Sequence, residues 1–185
     1  MLVLGATGPT GQQVVSQALE RGYQVTVFVR RPERLTTQAD RLRVLTGSVP
    51  DDSPALAAAV RGQEAVISTL GVGQSLRSAG LIARSMPVIV QAMKSQAVRR
   101  LIFTSAYGVG ETRRDVPAVP RLLMRVFFRD VYTDKAAAED TLRHSGLDWT
   151  LVYPVTLTNG PRTGRIWPTF SLANWMMLPT SGKGC

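Results

Sequence analysis

Near its start the chain passes from a short apolar run, Leu2-Val3-Leu4, through Gly5-Ala6-Thr7-Gly8-Pro9-Thr10-Gly11 into an amphipathic stretch over 12–21. Strand, glycine turn and helix in that order form a narrow prescription. Glycine lets backbone approach a pyrophosphate, and a helix start offers unpaired N–H groups at the positive end of its dipole. A tight strand-to-helix turn also selects glycine for its positive φ, so the turn alone fits either a phosphate site or a plain connection.

The neighbouring segments supply the context. Val14, Val15, Ala18 and Leu19 fall at helical spacing and Gly22 closes that helix. The segment 24–30 is almost continuously apolar and β-branched, as expected of a parallel sheet covered on both faces. Further strands are expected over 42–45, 64–70, 100–105 and 149–153, with helices over 53–61, 79–96 and 132–145 and a loop over 106–119. Pro87 inside the helix over 79–96 predicts a kink or a later start. Strands alternating with helices so regularly argue for a single α/β domain, a doubly wound parallel sheet in three αβα layers.

The end of the second strand bears on the nucleotide. An acidic residue there serves a ribose hydroxyl, whereas arginine accommodates a 2′-phosphate. This chain has Arg30-Arg31-Pro32-Glu33-Arg34, and Arg30 and Arg34 supply multi-donor charge where no carboxylate ends the strand. The residues therefore point to NADP(H) over NAD; a solvated basic turn is the alternative. Gly71 and Gly73 at the carboxyl end of the fourth strand are placed either to let a cofactor pass or simply to form a loop.

Composition narrows the class. With 185 residues the chain suffices for one domain with a substantial core. No apolar run approaches the roughly 18–20 residues of a membrane span. A strand at the very start leaves no room for a signal peptide, and the single cysteine, Cys185, excludes an internal disulfide framework, so a cytoplasmic setting is expected. The formal charge of +9 favours anionic partners, without choosing among a phosphorylated cofactor, an acidic substrate, nucleic acid and a membrane surface. Arg121, Arg125 and Arg129 are spaced to share one helical face, which reads as a solvated face or an anion-steering one; no nucleic-acid recognition motif accompanies it, and DNA is not expected as a partner. His144 has no partner constellation, and no metal site is expected.

Taken together, the glycine turn, Val29-Arg30-Arg31-Pro32-Glu33-Arg34, Ala65-Val66-Ile67-Ser68 with Leu70-Gly71, and Phe103-Thr104-Ser105-Ala106 resemble the atypical short-chain dehydrogenase/reductases. Lys135, Glu139-Asp140, Ser145-Gly146-Leu147-Asp148-Trp149 and Thr158-Asn159-Gly160-Pro161 extend the likeness, nearest to the NAD(P)H-binding NmrA-like and biliverdin reductase B (flavin reductase) groups. The resemblance implies an NAD(P)-binding Rossmann domain over 1–165 and leaves 166–185 as a divergent or truncated tail. It implies that Gly5, Thr7, Gly8, Pro9, Thr10 and Gly11 hold the pyrophosphate and that Arg30 and Arg34 hold the 2′-phosphate. Leu70 and Gly71 would flank the cofactor, and Ser105, Lys135 and Pro154-Val155-Thr156 the nicotinamide side.

The activity implied is hydride transfer from NADPH to a small planar acceptor such as a flavin, quinone or tetrapyrrole, by a monomer or weak homodimer. The alternative is an NmrA-like NADP(H)-sensing regulatory protein with little or no catalysis. The tyrosine four residues before the lysine in ordinary members is absent: Val131 stands there and Tyr132 precedes Lys135 by three. Tyr107 is a second candidate phenol, and Ser48 replaces the family's acidic residue after the third strand.

Overall fold

The computed structural model describes residues 1–73, 75, 77–110, 112 and 128–154. Its elements run in chain order: β1 (Leu2–Leu4), α1 (Pro9–Glu20), β2 (Val25–Val29), a 3-10 turn (Pro32–Arg34), β3 (Leu42–Thr46), α2 (Ser53–Val60), β4 (Ala65–Ser68), α3 (Leu81–Ser95), β5 (Arg100–Thr104), α4 (Arg129–Arg143) and β6 (Asp148–Val152). All neighbouring strands pair in parallel, in the order β3-β2-β1-β4-β5-β6. This is the expected Rossmann-like sheet. The order reverses beside β1, and ligands of such sheets bind in the crevice that the reversal opens at the strands' carboxyl ends.

Alternation along the strands sorts the core into two layers. Leu2, Leu4, Phe28, Val66, Leu101 and Phe103 pack with Leu56 of α2, Met86 and Ile89 of α3 and Leu142 of α4. Val3, Val25, Val27, Val29, Ile67 and Ile102 pack with Val14, Val15 and Ala18 of α1 on the opposite face. Since successive strand residues point to opposite faces, a strand buried on both must be apolar throughout. Leu2, Val3 and Leu4 are all fully buried, which explains the unbroken apolar run before the glycine turn.

Several boundaries differ from expectation by one to three residues, and two of them bear on the site. α3 continues through Pro87 from a start after Gly80; the proline costs one ladder bond, and the buried face of Ile82, Ser85, Met86, Ile89 and Met93 carries the helix past it. α4 begins at Arg129, three residues before the expected start, with no side-chain cap to announce it. Arg129 thus opens α4, while Arg121, Arg125 and most of the expected 106–119 loop lie outside the described residues.

Candidate active site

The three glycines of the first turn perform different tasks. Gly5 has φ +79°, and a Cβ there would sit 2.7 Å from the Thr69 carbonyl. A Cβ on Gly11 would fall inside the Gly5 carbonyl oxygen, so this glycine lets α1 pack directly on the turn. Gly8 differs from both. Its φ of −80° and ψ of 159° suit any L-residue, and a Cβ there would meet only the Gly5 carbonyl oxygen, at 3.5 Å. The protein's own backbone does not require glycine at position 8.

Gly8 is also the N-cap of α1 and offers no side-chain cap. The first intrahelical bond runs from Gln12 N–H to the Gly8 carbonyl at 2.9 Å, leaving the amides of Thr10 and Gly11 as orphan donors, with Pro9 having none to orphan. An open glycine ahead of orphan amides at a dipole's positive end fits a pyrophosphate.

From this turn a cleft of about 1100 Å³ follows the sheet's carboxyl edge. Arg30 and Arg34 line its outer end with Phe28, Val29, Gly47 and Val49. The 3-10 turn holds Arg34 close to Arg30 through Arg34 N–H to the Arg31 carbonyl at 3.1 Å. Ser48 donates to Asp51 at 2.7 Å, so a carboxylate stands three residues beyond the position the resemblance assigns to an acid.

Ser105, Tyr107, Tyr132, Lys135 and Pro154 line the inner end. Lys135 Nζ donates to the Thr104 and Ser105 carbonyls, each at 3.1 Å, and sits 5.8 Å from the Phe103 ring centroid. Burial lowers its pKa to about 8, against the opposing charges of Glu139 and Asp134. Tyr132 donates to the Tyr107 carbonyl at 3.0 Å, and burial raises its pKa. Both groups that resemble the usual dyad therefore direct protons at main-chain carbonyls. Thr104 also lines the cleft, and its hydroxyl is buried with no hydrogen-bond partner among the described residues.

α4 reaches in a second direction. Asp134 accepts from the Ile82 and Ala83 amides at 3.0 and 2.7 Å, capping α3 from another helix. Asp130 accepts from the Ser78 amide and hydroxyl at 2.5 and 3.1 Å, which holds its carboxyl below the usual range. Between these clasps Ala79 has φ +50°, a costly value for alanine. The loop they pin brings Leu70, Gly71, Val72, Gly73, Ser75 and Arg77 to the cleft.

The structure thus brings Gly5, Thr7, Gly8, Pro9, Thr10, Arg30, Arg34, Leu70, Gly71, Ser105, Tyr107, Tyr132, Lys135 and Pro154 to one cleft. Gly11 lies beneath it, packed on the turn. Val155 and Thr156 lie outside the described residues. Sequence reasoning missed Arg77, the Asp130 and Asp134 clasps, and the Tyr132 tether. Among the described residues no group of three or more His, Cys, Asp and Glu is placed to hold a metal, and no helix is long and apolar enough to cross a membrane.

Comparison with known proteins agrees with this architecture. An uncharacterized chloroplastic protein of Arabidopsis thaliana is 28% identical over 173 residues, 90% of this chain and 62% of its own length. This chain therefore spans less than two thirds of that relative. A wide-type short-chain dehydrogenase/reductase from Veillonella parvula, solved in complex with NADP, superposes with TM-score 0.72 at 23% identity, over 87% of this chain and 71% of that one. The anaerobillin reductase ChuY from Escherichia coli O157:H7 superposes with TM-score 0.69 at 23% identity, over 83% and 71% of the two chains. These likenesses show the shared fold. The family model described as NAD(P)H-binding matches residues 5–169, and the chain belongs to that family.

Proposed function

We propose that this chain is an NADPH-dependent reductase passing hydride to a small planar acceptor. The observation that carries the reading is the single cleft joining the Gly5–Gly11 turn and Arg30/Arg34 to Ser105, Tyr132 and Lys135. NADPH, when bound, supplies the hydride. The orphan amides of Thr10 and Gly11 and the open face at Gly8 would hold the pyrophosphate, and Arg30 with Arg34 the 2′-phosphate. Lys135 fixes the carbonyls at the end of β5, which sets where the inner wall stands. Leu70, Gly71 and Val72 line the cleft between these two ends. An acceptor of the flavin, quinone or tetrapyrrole class suits the open cleft, and the likeness to the fold of ChuY supports the tetrapyrrole within that class.

The test is NADPH oxidation, followed by loss of the reduced nicotinamide's near-ultraviolet absorbance, with FMN, menadione and biliverdin as acceptors. Turnover of at least one is expected. NADPH binding without turnover of any would favour the second reading, an NADP(H)-sensing protein. One observation supports that reading: the Tyr132 and Lys135 donors are already directed at carbonyls. A sensor would bind a protein partner differently in NADP⁺ and NADPH.

A further inference from the structure

Behind the inner wall lies an acid that the hydride-transfer reading leaves unused. Glu139, on α4 one turn beyond Lys135, is 2% exposed. Ser105 Oγ donates to its Oε1, and the Tyr153 hydroxyl donates to its Oε2 at 2.9 Å. Gly110, at φ +54°, packs so closely on the carboxylate that a Cβ would overlap it. Arg143 Nη2 stands 3.9 Å from Oε2, with its side chain 30% exposed. The arrangement is a chain of exchangeable protons. It runs from Ser105 at the cleft, through a buried carboxylate, to a half-buried phenol and a partly exposed guanidinium.

Hydride reduction of a neutral acceptor leaves one negative charge, so one proton must follow. Tyr132 gives its proton, and Lys135 two of its three, to main-chain carbonyls. The Ser105 proton alone among these three side chains is shared with an ionisable group. We propose that Ser105 and Glu139 form the proton port of the reaction, with Ser105 as the catalytic residue and Glu139 as the positioning residue that reloads it; the port rests on the reductase reading.

The hydride forms a new C–H or N–H bond on the acceptor and leaves NADP⁺. The Ser105 Oγ–H bond breaks toward the acceptor's negative atom as the protonated Glu139 carboxyl restores that hydroxyl. Glu139 remains as a carboxylate, the form in which it accepts from both Ser105 and Tyr153, and takes its next proton from water at the Tyr153 and Arg143 side. Among the described residues the charged or titratable groups facing it are Lys135 and Arg143 on its own helix and Tyr153 at the end of β6. Each reloading draws a proton from water, so it slows as pH rises.

The test uses the full chain with NADPH and menadione, in H₂O and D₂O, across pH. Glu139→Gln and Ser105→Ala are expected to bind NADPH within about twofold of wild type. Each should slow turnover on the order of 100-fold, the double variant being no slower than either single one. Glu139→Gln should also flatten the alkaline limb and remove the solvent isotope effect, and Glu139→Asp should restore both in part. A Glu139→Gln protein with the wild-type pH profile and isotope effect overturns the port and leaves the reductase reading intact. Loss of the isotope effect in Tyr107→Phe but not in Glu139→Gln moves the proton to Tyr107 and overturns it equally. Wild type that binds NADPH but turns over none of FMN, menadione and biliverdin overturns the reductase reading and the port with it.

Discussion

The two ends of the cleft are made of different materials. At the glycine turn the walls are main chain: orphan amides of Thr10 and Gly11, the open Gly8 and the Gly5 turn laid against Thr69 and Leu70. At the inner end they are side chains, Lys135, Tyr132 and Ser105, that pair with nearby carbonyls and with Glu139 behind them. A backbone site is specified by where side chains are missing. A side-chain site is specified by long-range pairing. The first tolerates no added atom at Gly5 or Gly11, whereas the second tolerates exchange of size but not loss of a donor or acceptor.

The contrast within the glycine turn is the sharpest way to break this comparison. Gly11→Ala places a methyl group inside the Gly5 carbonyl, so α1 must shift. A loss of about 3 kcal/mol, the upper end of ordinary overpacking, is expected in urea unfolding. Next in size is Arg30→Ala. Losing a charge-assisted phosphate contact costs roughly 1.5–3 kcal/mol, on the order of tenfold or more in NADPH affinity. NADH affinity should hold, and equal losses for both nucleotides in a fluorescence titration would show that Arg30 does not read the 2′-phosphate.

Gly8→Ala should do the reverse of Gly11→Ala. Its backbone is already in an extended region, so the gain from a stiffer unfolded chain and the loss at the cap offset each other to within about 0.5 kcal/mol. NADPH binding should nonetheless weaken by roughly tenfold, about 1.4 kcal/mol. An unchanged affinity would mean that the pyrophosphate does not approach this residue.

The smallest effect belongs to the inner end. The Lys135 ammonium, with its pKa lowered to about 8, binds its proton more weakly folded than unfolded. Stability therefore rises as pH climbs above the folded value toward the unfolded one. The stability difference between wild type and Lys135→Met should shift in favour of wild type by about 1 kcal/mol from pH 8 to pH 9. A flat difference across that window would place the ammonium in a more solvated state than its bonds to Thr104 and Ser105 describe.

The same division governs what is legible in the sequence. Strands and the glycine turn are legible because their causes are local. Val25 to Val29 are apolar on both faces, and Gly5 to Gly11 follow one strand directly. The pairing of Ser105 with Glu139 spans 34 residues, and that of Asp134 with Ile82 spans 52. Acids in a polar helix read as a solvent face until its packing is known. One signal is present: Lys135, Ala138, Glu139 and Leu142 share a helical stripe, and with Asp134 beside it three charges lie among the residues that α4 buries. The start of α4 leaves no signal, since Phe128 supplies no side-chain cap. Gly8 is legible only as one of three glycines, and the space around it separates its task from the other two.

Asp134 and Lys135 are consecutive residues of one helix, about 1.5 Å apart along its axis. The first grips the start of α3 and the second grips the end of β5. Mechanically, α4 is a strut with a fastening at each side. A force on the wall that includes Leu70, Gly71, Val72 and Arg77 thus reaches the Ser105 carbonyl through the α3 cap and a single helix.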